Sequence, residues 1–422
     1  MSALIHVDSR YEFVAPHQGT VWPRLFRAVA PWYLRRKFGV MDVQVRGAEV
    51  LRELRRSGMG VLLAPNHCRM SDAVVLQSLS AAAGEPFFVM ASSHLFRGNR
   101  LTRWALRRMG AFSIYREGID RQAVEAGVEI LSRAERPLVI FPEGALSSAN
   151  DSLNELQEGV SFIARTAAAR VAREHSSAGA AGESGVGDRR GVVVLPVAIR
   201  YVFEGDAELT AGSVLRGIEQ RLSWAPRPDL PLLERILRAG SALLTLKEIE
   251  FWGGAGAGTL AERQQRLIDH LLGSAEQEWL KRTGGGSVIT RVRDLRRAIV
   301  PEMIGGVLPE AELARRWTQL RHAELAQALS LYPADYVSSY PTAERILETV
   351  SRFHEHLTGE APCCGPWRAI VDVGQPLPVS ARRERGVSGD PLLSRLADSL
   401  ESLLRQTAGE CRLDHRSTAV RL

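Results

Sequence analysis

From about residue 42 onward, short apolar runs alternate with amphipathic stretches, the rhythm of βα units. The runs at 43–45, 60–64, 86–90, 112–115, 137–141 and 192–201 read as strands, and several are apolar throughout, as strands covered on both faces are. Between them apolar positions recur with helical period, as over 119–134 and 156–172. The pattern predicts an α/β fold, a mostly parallel sheet flanked by helices.

Further along, the texture changes twice. Residues 176–190, SSAGAAGESGVGDRR, mix Gly, Ser and Ala with charge and lack apolar period, so they read as a surface loop. After Phe203 the chain becomes a series of Arg-rich amphipathic stretches at 232–246, 260–282, 310–331 and 341–357, divided by GGAGAG and GGG. This predicts a large all-helical insertion. RAIVDVG at 368–374 restores a strand pattern, and 391–407 has the period of a last helix. The expected organisation is an N-terminal segment 1–39, a core 40–205, a helical insertion 206–361, and a closing segment 362–422 that returns to the core. No repeat at a solenoid period stands out.

Composition narrows this only modestly. The 422 residues include 54 basic and 48 acidic side chains, a formal charge of +6, with 45% hydrophobic and 24% charged residues. Those values exclude a mostly disordered or fibrous chain. Lysine occurs only at 37, 247 and 281, so arginine carries nearly all the positive charge. Four cysteines, Cys68, Cys363, Cys364 and Cys411, are too scattered for a disulfide framework or a CxxC metal site, and a reducing compartment is expected. His354 and His356, two apart, fall on different faces of a helix and do not suggest a metal site. No stretch reaches the ~18 apolar residues that would span a bilayer.

Candidate chemistry gathers at the ends of the apolar runs. VLLAPNHCRMSDAVVL sets His67 just past a strand and Asp72 five residues on, where a helix begins. A carboxylate so placed can fix an imidazole's tautomer and leave its other nitrogen to take a proton from a hydroxyl. LVIFPEG ends a second buried run on Phe141, Pro142, Glu143 and Gly144; FSIYR ends a third on Arg116, a fork suited to phosphate; VVVLPVA, with Pro196, is apolar throughout.

Together these segments resemble the glycerolipid acyltransferases of the lysophosphatidate (1-acyl-sn-glycerol-3-phosphate) acyltransferase type. N-H-x-x-x-x-D at 66–72, the F-x-x-x-R stretch ending at Arg116, F-P-E-G at 141–144 and L-P-V at 195–197 look like that family's four motifs in order. The resemblance covers about residues 40–203, and VDVGQPLPV at 371–379 is similar to the strand that follows the fourth motif. It implies transfer of a fatty acyl group from acyl-coenzyme A or an acyl-carrier-protein thioester to the hydroxyl of a lysophospholipid or glycerol phosphate, with no metal or redox cofactor. By the family pattern His67 is the general base and Asp72 its partner. The same pattern implies Arg116, Glu143 and Gly144 around the acceptor's phosphate and Pro196 near the acyl donor, with Phe141, Pro142 and Arg69 also expected to bind substrate. A phosphate beside Glu143 would be repelled, so Glu143 is expected to bond Arg116 or backbone amides. Amides near Gly144 are candidate donors to the reaction's oxyanion.

Two departures bear on the acceptor. Ala145-Leu146-Ser147 stands where the family commonly has Thr-Arg-Ser, losing a hydroxyl and a cation, while Arg69 occupies a place where a small polar residue is frequent and brings positive charge back. The alternatives are the same chemistry on a non-phosphorylated lyso-lipid, or a catalytically silent lipid- or protein-binding member. Residues 21–38, VWPRLFRAVAPWYLRRKF, interleave aromatics with cations as an interfacial helix does, with Pro31 expected to kink or split it. The expected setting is the inner face of the cytoplasmic membrane, with lipid substrates and no nucleic-acid partner.

Overall fold

In the computed structural model each of the apolar runs lies on a strand. The structure describes residues 11–147, 149–180, 191–304, 308–331, 333–362, 364–382 and 389–411, with the side chains of 176–180 excepted. Two compact units result, one formed by Tyr11–Val202 with Arg368–Gly409 and the other by Phe203–Trp367.

The first unit runs α1 (Val21–Phe38), β1 (Val40–Arg46), α2 (Ala48–Arg56), β2 (Gly60–Pro65), α3 (Asp72–Ala83), β3 (Phe88–Ser92), α4 (Arg100–Arg108), β4 (Ala111–Ile114), α5 (Arg121–Arg133), β5 (Leu138–Val139), α6 (Gly159–Ala180) and β6 (Val192–Phe203). After the helical unit the chain returns as β7 (Trp367–Val373), β8 (Leu377–Pro378) and the helix Pro391–Thr407. Among the described residues these make an eight-stranded sheet in the order β1-β7-β6-β2-β5-β3-β4, with β8 antiparallel on β6. Ladders β2–β5, β2–β6, β3–β4 and β3–β5 are parallel.

Connectivity explains where a site can form. The crossover from β2 to β3 runs one way along the sheet and that from β5 to β6 runs the other. Right-handed crossovers of opposite direction lie on opposite faces. Packing agrees, since α2 lies on α3 whereas α5 lies on α6. The loops leaving the adjacent strands β2 and β5 therefore part toward opposite faces, and a crevice opens at their carboxyl ends. Below it the α5/α6 face is sealed by Leu62, Phe88, Leu138, Ile163 and Val194, with Leu396 and Leu400 of the last helix.

Three expectations are corrected. α6 continues through Ala180, so the first part of the expected 176–190 loop is helix; 181–190 lie outside the described residues. α1 is not split at Pro31: the helix is continuous over Val21–Phe38, because Pro31 is exposed and water can serve the carbonyl that loses its donor. β5 spans two residues rather than five, since the chain turns at Pro142. Of the Cys363–Cys364 pair, Cys363 lies outside the described residues and Cys364 is buried.

The helical unit contains Ala207–Arg221, Leu232–Trp252, Leu260–Trp279, Val288–Ile299, Glu310–Ser330 and Ala343–Thr358. A repeat links the first four. Helices begin at Leu232, Leu260 and Val288, a step of 28 residues, and the fourth residue of each is an arginine: Arg235, Arg263 and Arg291. Each arginine forks onto a glutamate near the end of the preceding helix, Glu219, Glu248 and Glu276, through two nitrogens at 2.6–3.0 Å. Glu248 and Glu276 also accept the amides of Gly256 and Gly284, so one carboxylate ties two helices and the turn between them. Much of the Arg-rich character is thus internal, and the leucines of the same helices form the unit's core around Leu267, Leu271, Leu295 and Leu320.

Candidate active site

β2 is buried at every position, so its end is held by the sheet, and the loop beyond it is fastened by side chains acting as backbone. The amide of Asn66 receives the amide N–H of Ile199 at 2.7 Å and donates to the Ile199 carbonyl at 3.1 Å, continuing the β2–β6 ladder one residue further. Asn150, in the loop after β5, does the same to Tyr201, at 2.7 Å in both directions. Both loops flanking the crevice are therefore sewn to β6.

His67 follows Asn66. Its Nδ1 lies 2.8 Å from Asp72 Oδ2, and its ring packs against Phe141 with centroids 4.1 Å apart. A carboxylate only accepts, so Nδ1 carries a proton, and in the neutral ring Nε2 is the nitrogen with the lone pair. Among the described residues nothing hydrogen-bonds that Nε2, and the side chain is 20% exposed.

Asp72, fully buried in the first turn of α3, is surrounded by donors. Oδ2 also accepts the amides of Cys68 and Arg69 at 2.8 and 2.9 Å, while Oδ1 accepts the Tyr201 hydroxyl at 2.6 Å. Burial, reinforced by the Asp72 charge, holds the Tyr201 phenol well above its usual value, so it stays a donor. With its one proton given to Asp72, Tyr201 accepts from Ser71 at 2.7 Å. Arg69 lies over the Tyr201 ring, 4.5 Å from its centroid, the expected cation beside the pair.

Glu143 is equally buried. Its oxygens accept the amide of His67 at 2.7 Å and that of Asn154 at 2.9 Å. Burial is the main cause that raises its carboxyl from 4.5 to about 7. Of its two expected partners, backbone amides are thus present, and Glu143 holds the His67 loop to the β5 loop. Gly144 makes that possible: its φ is 67°, a left-handed value, and a Cβ there would meet Gln157 at 3.0 Å. The Gly144 amide is engaged with the Phe141 carbonyl at 3.2 Å, which removes it from the expected oxyanion donors.

The remaining expected residues are spread more widely. Pro142 is buried, and its carbonyl accepts the Gln157 amide at 2.7 Å. Pro196 sits buried within β6, paired with Ala64. Arg116 is exposed just past β4, three strands from β2, about 14 Å by strand spacing alone. Tyr201, Asn150 and Asn154 were not foreseen, and Asn66 was read as part of the first motif without this role; a tyrosine near the end of a mostly apolar strand was the signal available for Tyr201. Among the described residues no three His, Cys, Asp or Glu side chains are grouped to hold a metal ion.

Residues 42–200, which carry all of this geometry, match the family model described as "Acyltransferase". Over this stretch, less than half of its length, the chain is similar to the acyltransferase family. The chain is also similar to the "1-acyl-sn-glycerol-3-phosphate acyltransferase" of Streptococcus pneumoniae (strain ATCC BAA-255 / R6), 33% identical over 91 residues. That stretch is 22% of this chain and spans 32% of the length of that curated relative.

Proposed function

We propose that the protein transfers a fatty acyl group from a thioester, acyl-coenzyme A or acyl-carrier protein, to the hydroxyl of a lysophospholipid or glycerol phosphate in phospholipid synthesis. The observation that carries this is the His67–Asp72 pair, with Nδ1 held at 2.8 Å and Nε2 left to a ligand at the crevice. In this reading Nε2 takes the acceptor's proton as the oxygen attacks the thioester carbonyl. The tetrahedral intermediate then expels the thiolate, which recovers the proton from the imidazolium, so base and charge are restored. The similarity to a named glycerolipid acyltransferase supports the acceptor class.

The chemistry is tested by following free thiol release from palmitoyl-coenzyme A or palmitoyl-acyl-carrier protein with lysophosphatidate, glycerol 3-phosphate, a lyso-amino-acid lipid or no acceptor. His67→Ala is expected to lower acceptor-dependent release by about 10²–10⁴-fold. Release that is unchanged by this substitution with every donor and acceptor removes the reading and favours a silent binding member.

A second reading keeps the chemistry and makes the acceptor a lyso-lipid without phosphate. Ala145 is buried and Leu146 is apolar where the resemblance called for a hydroxyl and a cation, and Arg116 lies beyond the edge strand. Turnover of the lyso-amino-acid lipid without competition by lysophosphatidate separates the two.

The membrane belongs to the same proposal. α1 turns Pro23, Ala30 and Leu34 inward and leaves Trp22, Leu25, Val29 and Trp32 exposed on the opposite face. Trp22 meets Trp104 of α4 edge to face at 4.9 Å, and Leu101 is exposed beside it. Arg24, Arg35, Arg36, Lys37 and Arg103 are exposed on the same two helices. No helix among the described residues is long and apolar enough to cross a membrane, so contact through this surface would be interfacial.

A further inference from the structure

The helical unit contains a cavity for which acyl transfer at His67 has no use. It measures about 120 Å³ and lies between Leu232–Trp252, the start of Leu260–Trp279, the end of Glu310–Ser330 and Ala343–Thr358. Its wall is almost wholly apolar, with Ile236, Leu243, Leu244, Leu325, Leu329 and Phe353 facing one another. The polar side chains along it differ in what they already do. Gln264 donates to the Leu329 carbonyl and Arg352 to the Leu331 carbonyl. Lys247 instead has its ammonium at the rim, 2.9 Å from Glu250, in a pair whose members are 28% and 56% exposed. So exposed a pair is worth at most ~1 kcal/mol, so an incoming anion can take the place of Glu250 at small cost.

We propose that this cavity binds a single-chain carboxylate, its tail among the leucines and its headgroup on Lys247. Size and charge both select that class. A void of roughly 150 Å³ accommodates benzene, so this one seats the last few carbons of a chain. The rest can follow the helix from Ile236 toward Lys247, about 16 Å at 1.5 Å per residue. The Lys247 ammonium is a point charge that suits a monoanionic head, whereas a phosphate dianion is better matched by an arginine fork, and the guanidinium along this wall, Arg352, is already bonded to the Leu331 carbonyl. A neutral tail would make no use of Lys247, and a cationic amphiphile would be repelled by it. Every residue in this argument lies within Phe203–Trp367, so it stands apart from the reading of His67.

The test uses three probes with the same chain, decanoate, decanol and decyltrimethylammonium, titrated calorimetrically into the full-length protein. Decanoate is expected to bind at least about tenfold more tightly than either of the others. Lys247→Glu should abolish that preference and favour decyltrimethylammonium, while Glu250→Gln, which removes the competing carboxylate, should tighten decanoate severalfold. Both substitutions are at the surface and leave the core intact; Leu243→Trp, which fills the cavity, should block all three probes. Equal binding of decanoate and decanol would overturn the proposal in favour of a purely apolar occupant such as a partner helix. Decanoate binding insensitive to Lys247→Glu, or no binding at millimolar concentration, would overturn it outright.

Discussion

Asp72 is worth following atom by atom, because what surrounds it determines what His67 can do. Several of its contacts come from residues 67–69, and of these the pairing with His67 was legible in the sequence: a separation of five positions suffices to close the pair. Another comes from Tyr201, 129 residues away, which only the folding of β6 beside β2 brings near. Tyr201→Phe should lower kcat about fivefold, the worth of roughly 1 kcal/mol, with KM little changed. By leaving more negative charge on Asp72 it should also move the acid limb of the pH–rate profile upward. A fall in kcat with no such movement would make Tyr201 a packing residue only. Glu143 gives a prediction for stability. Its carboxyl is raised from 4.5 to about 7, so the stabilisation from its proton is full below 4.5 and is lost as pH rises through 7. Unfolding in denaturant should show up to roughly 3 kcal/mol less stability at pH 8 than at pH 5 from this group, and Glu143→Gln should remove that part of the slope. An unaltered slope in the variant would place the pH dependence elsewhere.

Between elements, the side chains that matter are those that substitute for backbone. Asn66 extends the β2–β6 ladder past the end of β2, and Asn150 ties the loop after β5 to β6, which is why two irregular loops can hold His67 and Glu143 in place. Such pairings are invisible to periodicity, since an asparagine before a turn reads simply as a turn residue. The sheet itself was legible because its strands are apolar runs bounded by breaks, and α6 was read short because Ala, Ser and Gly signal a loop as readily as a helix end. The repeat in the helical unit escaped notice because only a few positions recur within each 28 residues. Its meaning is energetic: an arginine in the first turn of each helix neutralises a glutamate that would otherwise be stranded against its neighbour. Hydrogen bonds from Arg263 hold the Glu248 carboxyl below its usual range. Arg263→Leu should therefore cost about 3–5 kcal/mol in thermal or chemical unfolding, whereas pairing it with Glu248→Leu should recover most of the loss. If the double variant is no better than the single one, the salt bridge is not what Arg263 contributes.

For the molecule as a whole, the exposed aromatic face shared by α1 and α4 predicts where it resides. Co-sedimentation with vesicles should be strong for anionic phosphatidylglycerol, weak for phosphatidylcholine, and reduced by salt, because cations on both helices steer an otherwise apolar contact. Leu25→Asp with Trp104→Ser should weaken vesicle binding by at least about tenfold while leaving the fold unchanged by circular dichroism. Binding indifferent to lipid charge and to this double change would leave α1 as a packing helix alone. The sheet order carries one more consequence, for the making of the chain. β7 is the strand between β1 and β6, yet about 160 residues of helical unit separate it from β6 in sequence. At roughly 5–20 residues per second a ribosome takes about 10–30 s to cover that distance. For that interval one border of a newly formed, mostly apolar β6 has no permanent neighbour, and an open strand edge invites other chains. The nascent protein is then most vulnerable to aggregation, and a chaperone that shields strand edges would be needed at this stage more than at any later one.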